Sequence, residues 1–148
     1  MLVGTYASIL SPNRRTAIPK KFLKELGDKI IMAKWYEGCL VVVSEVSWLA
    51  LLKRLTGGER IPTEPVRDTE RFILGSAYEL ASDFQGRVTV PQELADYAHL
   101  TTKLIFIGLI DRVEVWDESV WREKEKDISA RASQIIEKLA NETKSRVS

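Results

Sequence analysis

Two arginines occupy matching places in this chain, each at the end of a polar turn and the start of an alternating apolar segment. The first lies in Ser11-Pro12-Asn13-Arg14-Arg15-Thr16-Ala17-Ile18-Pro19, the second in Asp83-Phe84-Gln85-Gly86-Arg87-Val88-Thr89-Val90-Pro91. Ser, Pro, Asn, Asp and Gly are turn formers, so each segment reads as a turn, a short strand and a closing proline. A guanidinium on such a ribbon donates two parallel hydrogen bonds from one planar fork. It matches a carboxylate, a phosphate, or guanine O6 and N7 in a major groove that admits a two-stranded ribbon. Two readings stay open at this point. Arg87 could pair with Asp83 and simply close its own turn, or Asp83 could orient Arg87 towards a base edge or itself accept from cytosine N4. Around the turns, Arg14, Lys20, Lys21 and Lys24 could hold phosphates, adding affinity but little sequence information. They could equally be solvated surface charge. Asn13 and Gln85, the amides inside the two turns, join Arg15, Arg87, Asp83, Arg14, Lys20 and Lys21 as candidate DNA-contacting residues.

Catalytic chemistry finds little support. The chain has one His, one Cys, no phosphate-cradling glycine loop and no nucleophile elbow. The acidic group Asp111, Glu114, Asp117 and Glu118 is explained by a turn followed by the start of a helix, where the macrodipole favours carboxylates. Without a Cys/His cluster no metal site is expected, and no cofactor or small-molecule substrate. No apolar run is long enough to span a bilayer and no charged leader precedes the first strand, so a cytoplasmic protein is expected, nucleoid-associated if the arginines meet DNA. The net charge of +1 hides a segregation: residues 1–60 carry +5, residues 61–118 carry −6 and residues 119–148 carry +2. A basic segment beside an acidic one fits either an anionic partner on one face or ordinary solvated charge.

The elements that must position the arginines come in duplicate. With an offset of 72, Tyr6 falls on Tyr78, Arg15 on Arg87, Pro19 on Pro91 and Phe22 on Leu94. After a one-residue slip, Ile31 meets Leu104, Glu45 meets Glu118 and Trp48 meets Trp121. Such ordered agreement at Tyr, Arg, Pro and Trp indicates an internal duplication. In the first copy, strands are expected at Thr5 to Leu10 and Arg15 to Ile18, with a short helix after Pro19 that stops at Gly27. Lys29 to Lys34 and Cys39 to Ser44 form a second hairpin around Glu37-Gly38. Ser44 or Ser47 caps a helix that buries Leu49, Leu52 and Leu55 beside Trp48. The second copy repeats the plan with strands at Tyr78 to Ser82, Arg87 to Val90, Lys103 to Ile107 and Val113 to Trp116. Gly57-Gly58, Pro62 and Pro65 mark a linker, and Arg67 to Leu74 a short helix. From Asp117 a long amphipathic helix follows, with Ile128, Ile135, Ile136 and Leu139 on its apolar side and fraying from Asn141. Tyr6, Tyr78, Trp48, Trp116 and Trp121 read as packing or interface anchors, Cys39 as a small buried residue, and His99 as lacking a chemical partner. A module of roughly 50 residues buries too little apolar surface to stand alone, so two hairpins must pair face to face into one small barrel, and the two copies could do this for each other about a pseudo-two-fold axis.

The pattern of a Tyr, an Asp-to-Arg turn through Gly, and alternating apolar residues into Pro resembles the MraZ family, within the wider AbrB-like swapped-hairpin group. The resemblance covers about residues 1–125. It is carried most specifically by Asp83 to Pro91, with Phe72-Ile73-Leu74-Gly75-Ser76-Ala77 ahead and Val115-Trp116-Asp117 and Trp121 behind. It implies a mainly β chain with short helices (α+β): a tandem duplicated AbrB/MraZ-like swapped-hairpin β-barrel with a long C-terminal helix. The expected divisions are a first repeat at 1–56, a linker and short helix at 57–75, a second repeat at 76–118 and a helical tail at 119–148. It further implies a regulator of the division and cell-wall gene cluster, acting on repeated promoter sites in double-stranded DNA as a ring-shaped homo-oligomer, with the turn Asp and Arg as DNA readers. The competing expectation is an antitoxin or structural oligomer whose C-terminal helix binds a protein. The first turn departs from the family pattern: Ser11 stands where the family has Asp, and Arg14 where the turn usually ends in Gly. Because Arg tolerates positive φ poorly, this turn is expected to differ in type and to lack a carboxylate beside Arg15.

Overall fold

Each proline that closes an arginine strand also starts a short helix. Pro19 and Pro91 have φ of −50° and −55° and stand immediately before α1 (Lys20–Leu26) and α4 (Gln92–Tyr97). A fixed φ near −65° is pre-set for helix entry, and the missing N–H is one that a helix start leaves unpaired anyway. Gly27 ends α1 at φ 78°, its N–H donating to Leu23 O at 2.9 Å. The computed structural model describes residues 1–58 and 63–147; the expected linker residue Pro62 lies outside them.

In the first copy, β1 (Val3–Ile9) and β2 (Arg15–Ala17) precede α1, and β3 (Lys29–Lys34) and β4 (Leu40–Ser44) follow it. Next come α2 (Glu45–Thr56) and α3 (Glu64–Ile73). In the second copy, β5 (Tyr78–Ala81) and β6 (Arg87–Thr89) precede α4, and β7 (Lys103–Leu109) and β8 (Val113–Asp117) follow it. Ser44 caps α2, its Oγ accepting from Ser47 N at 3.1 Å. The apolar face of α2 is Trp48, Leu51 and Leu52, whereas Leu49 is 69% exposed. Helical spacing of three and four from Trp48 selects Leu51 and Leu52, and Leu49 lies a further hundred degrees or so round the axis, so the face expected through Leu49 is corrected to one through Leu51.

The copies exchange strands. β1 pairs antiparallel with β7 of the second copy, from Val3↔Leu109 to Ile9↔Lys103. β5 pairs with β3 of the first, from Lys29↔Ala81 to Met32↔Tyr78. The resulting sheet runs β1-β7-β8-β4-β3-β5, and β2 and β6 form a separate two-stranded ribbon. The swapped, duplicated α+β arrangement is therefore present, but β1 and β5 end the sheet, so the closed barrel expected from the hairpins is not formed. Two ladders join equivalent strands of the two copies. β2 and β6 centre on Thr16↔Val88, and β4 and β8 on Val41↔Glu114. Each pair consists of residues that correspond under the duplication, so the pseudo-two-fold axis passes through both.

That exchange builds a single core from both halves. Phe22, Ile30, Met32, Leu40 and Val42 of the first copy pack with Val88, Val90, Leu94, Leu104, Phe106, Val113 and Val115 of the second. Tyr6 meets Phe22 edge-on at 5.1 Å between centroids. The opposite face of β3 and β4, carrying Ile31, Ala33, Val41 and Val43, is buried as well. Strands covered on both faces read as continuous apolar runs rather than alternations, which is the pattern of Leu40 to Val43. Trp48 and Trp116 are buried, and so is Cys39 at 1% exposure. Asp117 is buried too, accepting from Thr101 N at 2.9 Å and Thr101 Oγ1 at 2.6 Å.

Residues 118–147 form a second unit, the single helix α5 (Glu118–Val147). It continues through Asn141, where fraying was expected, to Val147. Arg131 binds Asp127 one turn back through Nε at 3.0 Å and Nη2 at 2.6 Å. Ile136 and Leu139 are 68% and 62% exposed. No helix among the described residues is long and apolar enough to cross a membrane.

Candidate nucleic-acid interface

The ribbon of β2 and β6 carries the two arginines. Its register is Arg15↔Thr89, Thr16↔Val88 and Ala17↔Arg87. Thr16 and Val88 are buried, so the alternation of a strand turns Arg15, Ala17, Arg87 and Thr89 to the other side. Across from each arginine stands a small residue, Thr89 or Ala17, which leaves the guanidiniums as the tallest groups of that face.

Both turns close in the same way. Ser11 N donates to Arg15 O at 2.8 Å and Arg14 N to Ser11 O at 2.9 Å; Asp83 N donates to Arg87 O and Gly86 N to Asp83 O, each at 2.9 Å. The last turn residue is left-handed in each, Arg14 at φ 62° and Gly86 at φ 76°. The expected difference in turn type is thus absent. Arg14 accepts the strained conformation where its side chain is tied down, Nε donating to Val90 O at 3.0 Å and Nη1 to Gln92 Oε1 at 2.9 Å. Its backbone O in turn accepts from Val90 N at 2.8 Å, the counterpart of Ile18 N to Gly86 O at 3.0 Å.

The first turn position does the same backbone work in both copies. Asp83 Oδ1 accepts from Gln85 N at 2.8 Å and from Arg87 N at 3.0 Å. Ser11 Oγ accepts from Arg15 N at 2.9 Å and donates to Asn13 Oδ1. The charge is not duplicated, yet Arg15 does not lack a carboxylate. Its Nη2 reaches Asp83 Oδ2 of the other copy at 2.6 Å, and Arg87 Nε reaches the same oxygen at 3.2 Å. The expectation of an unpartnered Arg15 fails because the β2–β6 pairing brings the second turn beside the first arginine. The hydrogen bond from the Arg87 backbone N–H, followed by that from Gln85 and the Arg87 guanidinium, holds the Asp83 carboxyl below its ordinary range.

Ser8, Ile9, Ser11, Asn13, Arg15, Thr16, Ala17 and Arg87 line a groove of about 400 Å³ beside the ribbon. Ser8 ties β1 to β2, its Oγ donating to Ala17 O at 2.9 Å and lying 3.0 Å from Thr16 Oγ1. The structure therefore brings together Arg15, Arg87 and Asp83, with Asn13 and Gln85 exposed in the flanking turns. Arg14 is bound towards β6 and α4. Lys20 and Lys21 are exposed on α1, where Lys21 Nζ lies 5.9 Å from the Tyr6 ring centroid. One residue outside the expected set is prominent: Phe84, at the tip of the second turn, is 94% exposed. An aromatic side chain between Asp and Gln inside a tight turn has no core to enter, and that was the signal available in the sequence. Among the described residues no group of His, Cys, Asp and Glu is arranged to hold a metal ion.

Comparison with known proteins places the chain among relatives of one kind. The family described as "MraZ protein, putative antitoxin-like" matches residues 73–143. A protein of Caldicellulosiruptor saccharolyticus named "Transcriptional regulator MraZ" is 33% identical, covering 94% of this chain and 96% of the relative. Proteins of the same name from Caldanaerobacter subterraneus subsp. tengcongensis and Acetivibrio thermocellus are 35% and 37% identical, each covering 95% of this chain and 98% and 97% of their own length.

Proposed function

Because the chain belongs to the MraZ family, we propose that it is a transcriptional regulator that binds double-stranded DNA sequence-specifically through the β2–β6 ribbon. Its targets are repeated sites in promoters of the division and cell-wall gene cluster, its own included. The observation that carries this reading is the pair of guanidiniums on one face of a ribbon, fastened at its tips to a single half-buried carboxylate. A two-stranded ribbon fits the major groove, and an arginine whose direction is set by a carboxylate meets guanine O6 and N7 with little further loss of freedom. Arg15 and Arg87 read bases; Asn13 and Gln85 contact the flanking edges or sugars; Lys20 and Lys21 meet phosphates. Arg14 holds the two copies together and lends charge. The four divisions at 1–56, 57–75, 76–118 and 119–148 follow from the same reading.

Few cations per chain face the ribbon and the net charge is +1. One chain then binds weakly, and a ring of identical chains on spaced repeats gains affinity through effective concentration. Arg15→Ala and Arg87→Ala, tested by gel shift on the DNA upstream of the protein's own gene, each weaken binding about 5- to 150-fold, the equivalent of roughly 1–3 kcal/mol per bidentate contact. Unchanged affinity and salt dependence in both variants overturns the reading. The exposure of Ile136 and Leu139 on α5 favours a second reading, in which this helix docks a protein partner as in antitoxins. A size measurement separates the two: a ring of many copies supports the first, a simple dimer the second.

A further inference from the structure

Asp83 has no acceptor capacity left for a base. A carboxylate offers about four lone-pair positions. Oδ1 takes the backbone N–H groups of Gln85 and Arg87, and Oδ2 takes Arg15 and Arg87. Two guanidiniums, from turns 72 positions apart in the duplication, therefore depend on one oxygen. Ser11, in the place equivalent to Asp83, repeats its backbone hydrogen bond to the following arginine but brings no charge.

We propose that Asp83 is the shared positioning residue of both arginines, so that the base preferences of the two turns are coupled through one side chain. This rests on the reading that the ribbon contacts DNA. The two arginines are held differently. Arg87 is gripped through Nε, which keeps both terminal nitrogens for a pair of acceptors in front of it. Arg15 is gripped through Nη2, one of its terminal pair. Discrimination for guanine is accordingly stronger at the base met by Arg87. Ser11 sets this inequality, because a carboxylate at position 11 would stand towards Arg87 as Asp83 stands towards Arg15.

The test uses the full chain and two variants. Asp83→Ser removes the charge and keeps a residue that already closes this turn in the first copy. Ser11→Asp combined with Asp83→Ser moves the carboxylate across the pseudo-two-fold axis. The first readout needs no DNA: nitrogen resonances of the arginine side chains report hindered rotation of a gripped guanidinium. Asp83→Ser frees both Arg15 and Arg87, and the combined variant restores the hindrance of both. A response at Arg87 alone overturns the sharing. For the second readout, the wild-type protein selects duplexes from a random pool, and Arg15→Ala and Arg87→Ala assign the guanines. Asp83→Ser lowers discrimination at both assigned guanines about five-fold or more, the low end of a bidentate contact, and the combined variant recovers it with the stronger preference now at Arg15. Loss at one guanine only overturns the coupling. A pool that yields no preferred duplex overturns the DNA reading and the coupling of base preferences with it, while the resonances still decide whether the carboxylate is shared.

Discussion

Gly86 and Arg14 occupy equivalent turn positions, and what faces them differs in a compensating way. Gly86 is buried at φ 76°, and a Cβ added there would stand 2.6 Å from Leu23 Cδ2. Ala95 is the residue equivalent to Leu23, and it lines the same groove as Arg14. A large side chain thus faces the glycine, and the position equivalent to it in the other copy is a small one. Gly86→Ala should be destabilising for two separable reasons. The left-handed conformation costs an alanine about 1–2 kcal/mol. The contact with Leu23 adds about 0.5–1.5 kcal/mol, the cost of turning that half-buried side chain off its rotamer. The sum is about 1.5–3.5 kcal/mol. In a Leu23→Ala background only the first part remains, so the two substitutions should couple by about 0.5–1.5 kcal/mol. Urea unfolding of the wild type, both single variants and the double variant measures this from the midpoints, provided the slopes agree. Additive single effects would refute the argument that Leu23 is what excludes a side chain at position 86. A cost for Gly86→Ala below about 0.5 kcal/mol would refute the backbone part as well.

Three further outcomes are expected. The Asp83 carboxyl lies below its ordinary range chiefly through the Arg87 backbone N–H, so its contribution to stability is complete above the unfolded value near pH 4 and is lost as pH falls through the lower folded value; the urea midpoint of the wild type should therefore drop more steeply than that of Asp83→Ser between about pH 4 and pH 2, and parallel profiles would contradict this. Asp117→Ala leaves the Thr101 N–H and hydroxyl without their acceptor and should cost about 1–3 kcal/mol in the same unfolding assay, whereas a surface carboxylate such as Glu142 should tolerate the change within about 0.5 kcal/mol. Burial, with Glu114 and Glu37 adding to it, pushes the Cys39 thiol well up, so a thiol reagent at neutral pH should label it only at the rate of unfolding; rapid labelling of the native protein would mean that β4 opens locally.

Much of this protein was determined by residues close together along the chain. Prolines 19 and 91 start the short helices because their φ is fixed in advance, Gly27 stops α1 because glycine adopts a positive φ cheaply, and Ser44 caps α2 because its hydroxyl reaches the N–H three residues on. The ordered recurrence of Tyr, Arg, Pro and Trp made the duplication legible in the sequence, whereas the swapped α+β arrangement was implied only by the resemblance to the MraZ family. What the tertiary structure decided concerns groups far apart in sequence. Arg15 finds its carboxylate 68 residues away, Arg14 takes a left-handed turn where Val90 O, just past β6, and Gln92 of α4 hold its side chain, and the strands end in open edges rather than a barrel. Periodicity states which face of a strand is apolar, but not which other strand lies against it. That choice follows from the joint burial of both halves in one core, a property of the whole chain that no single window of sequence contains.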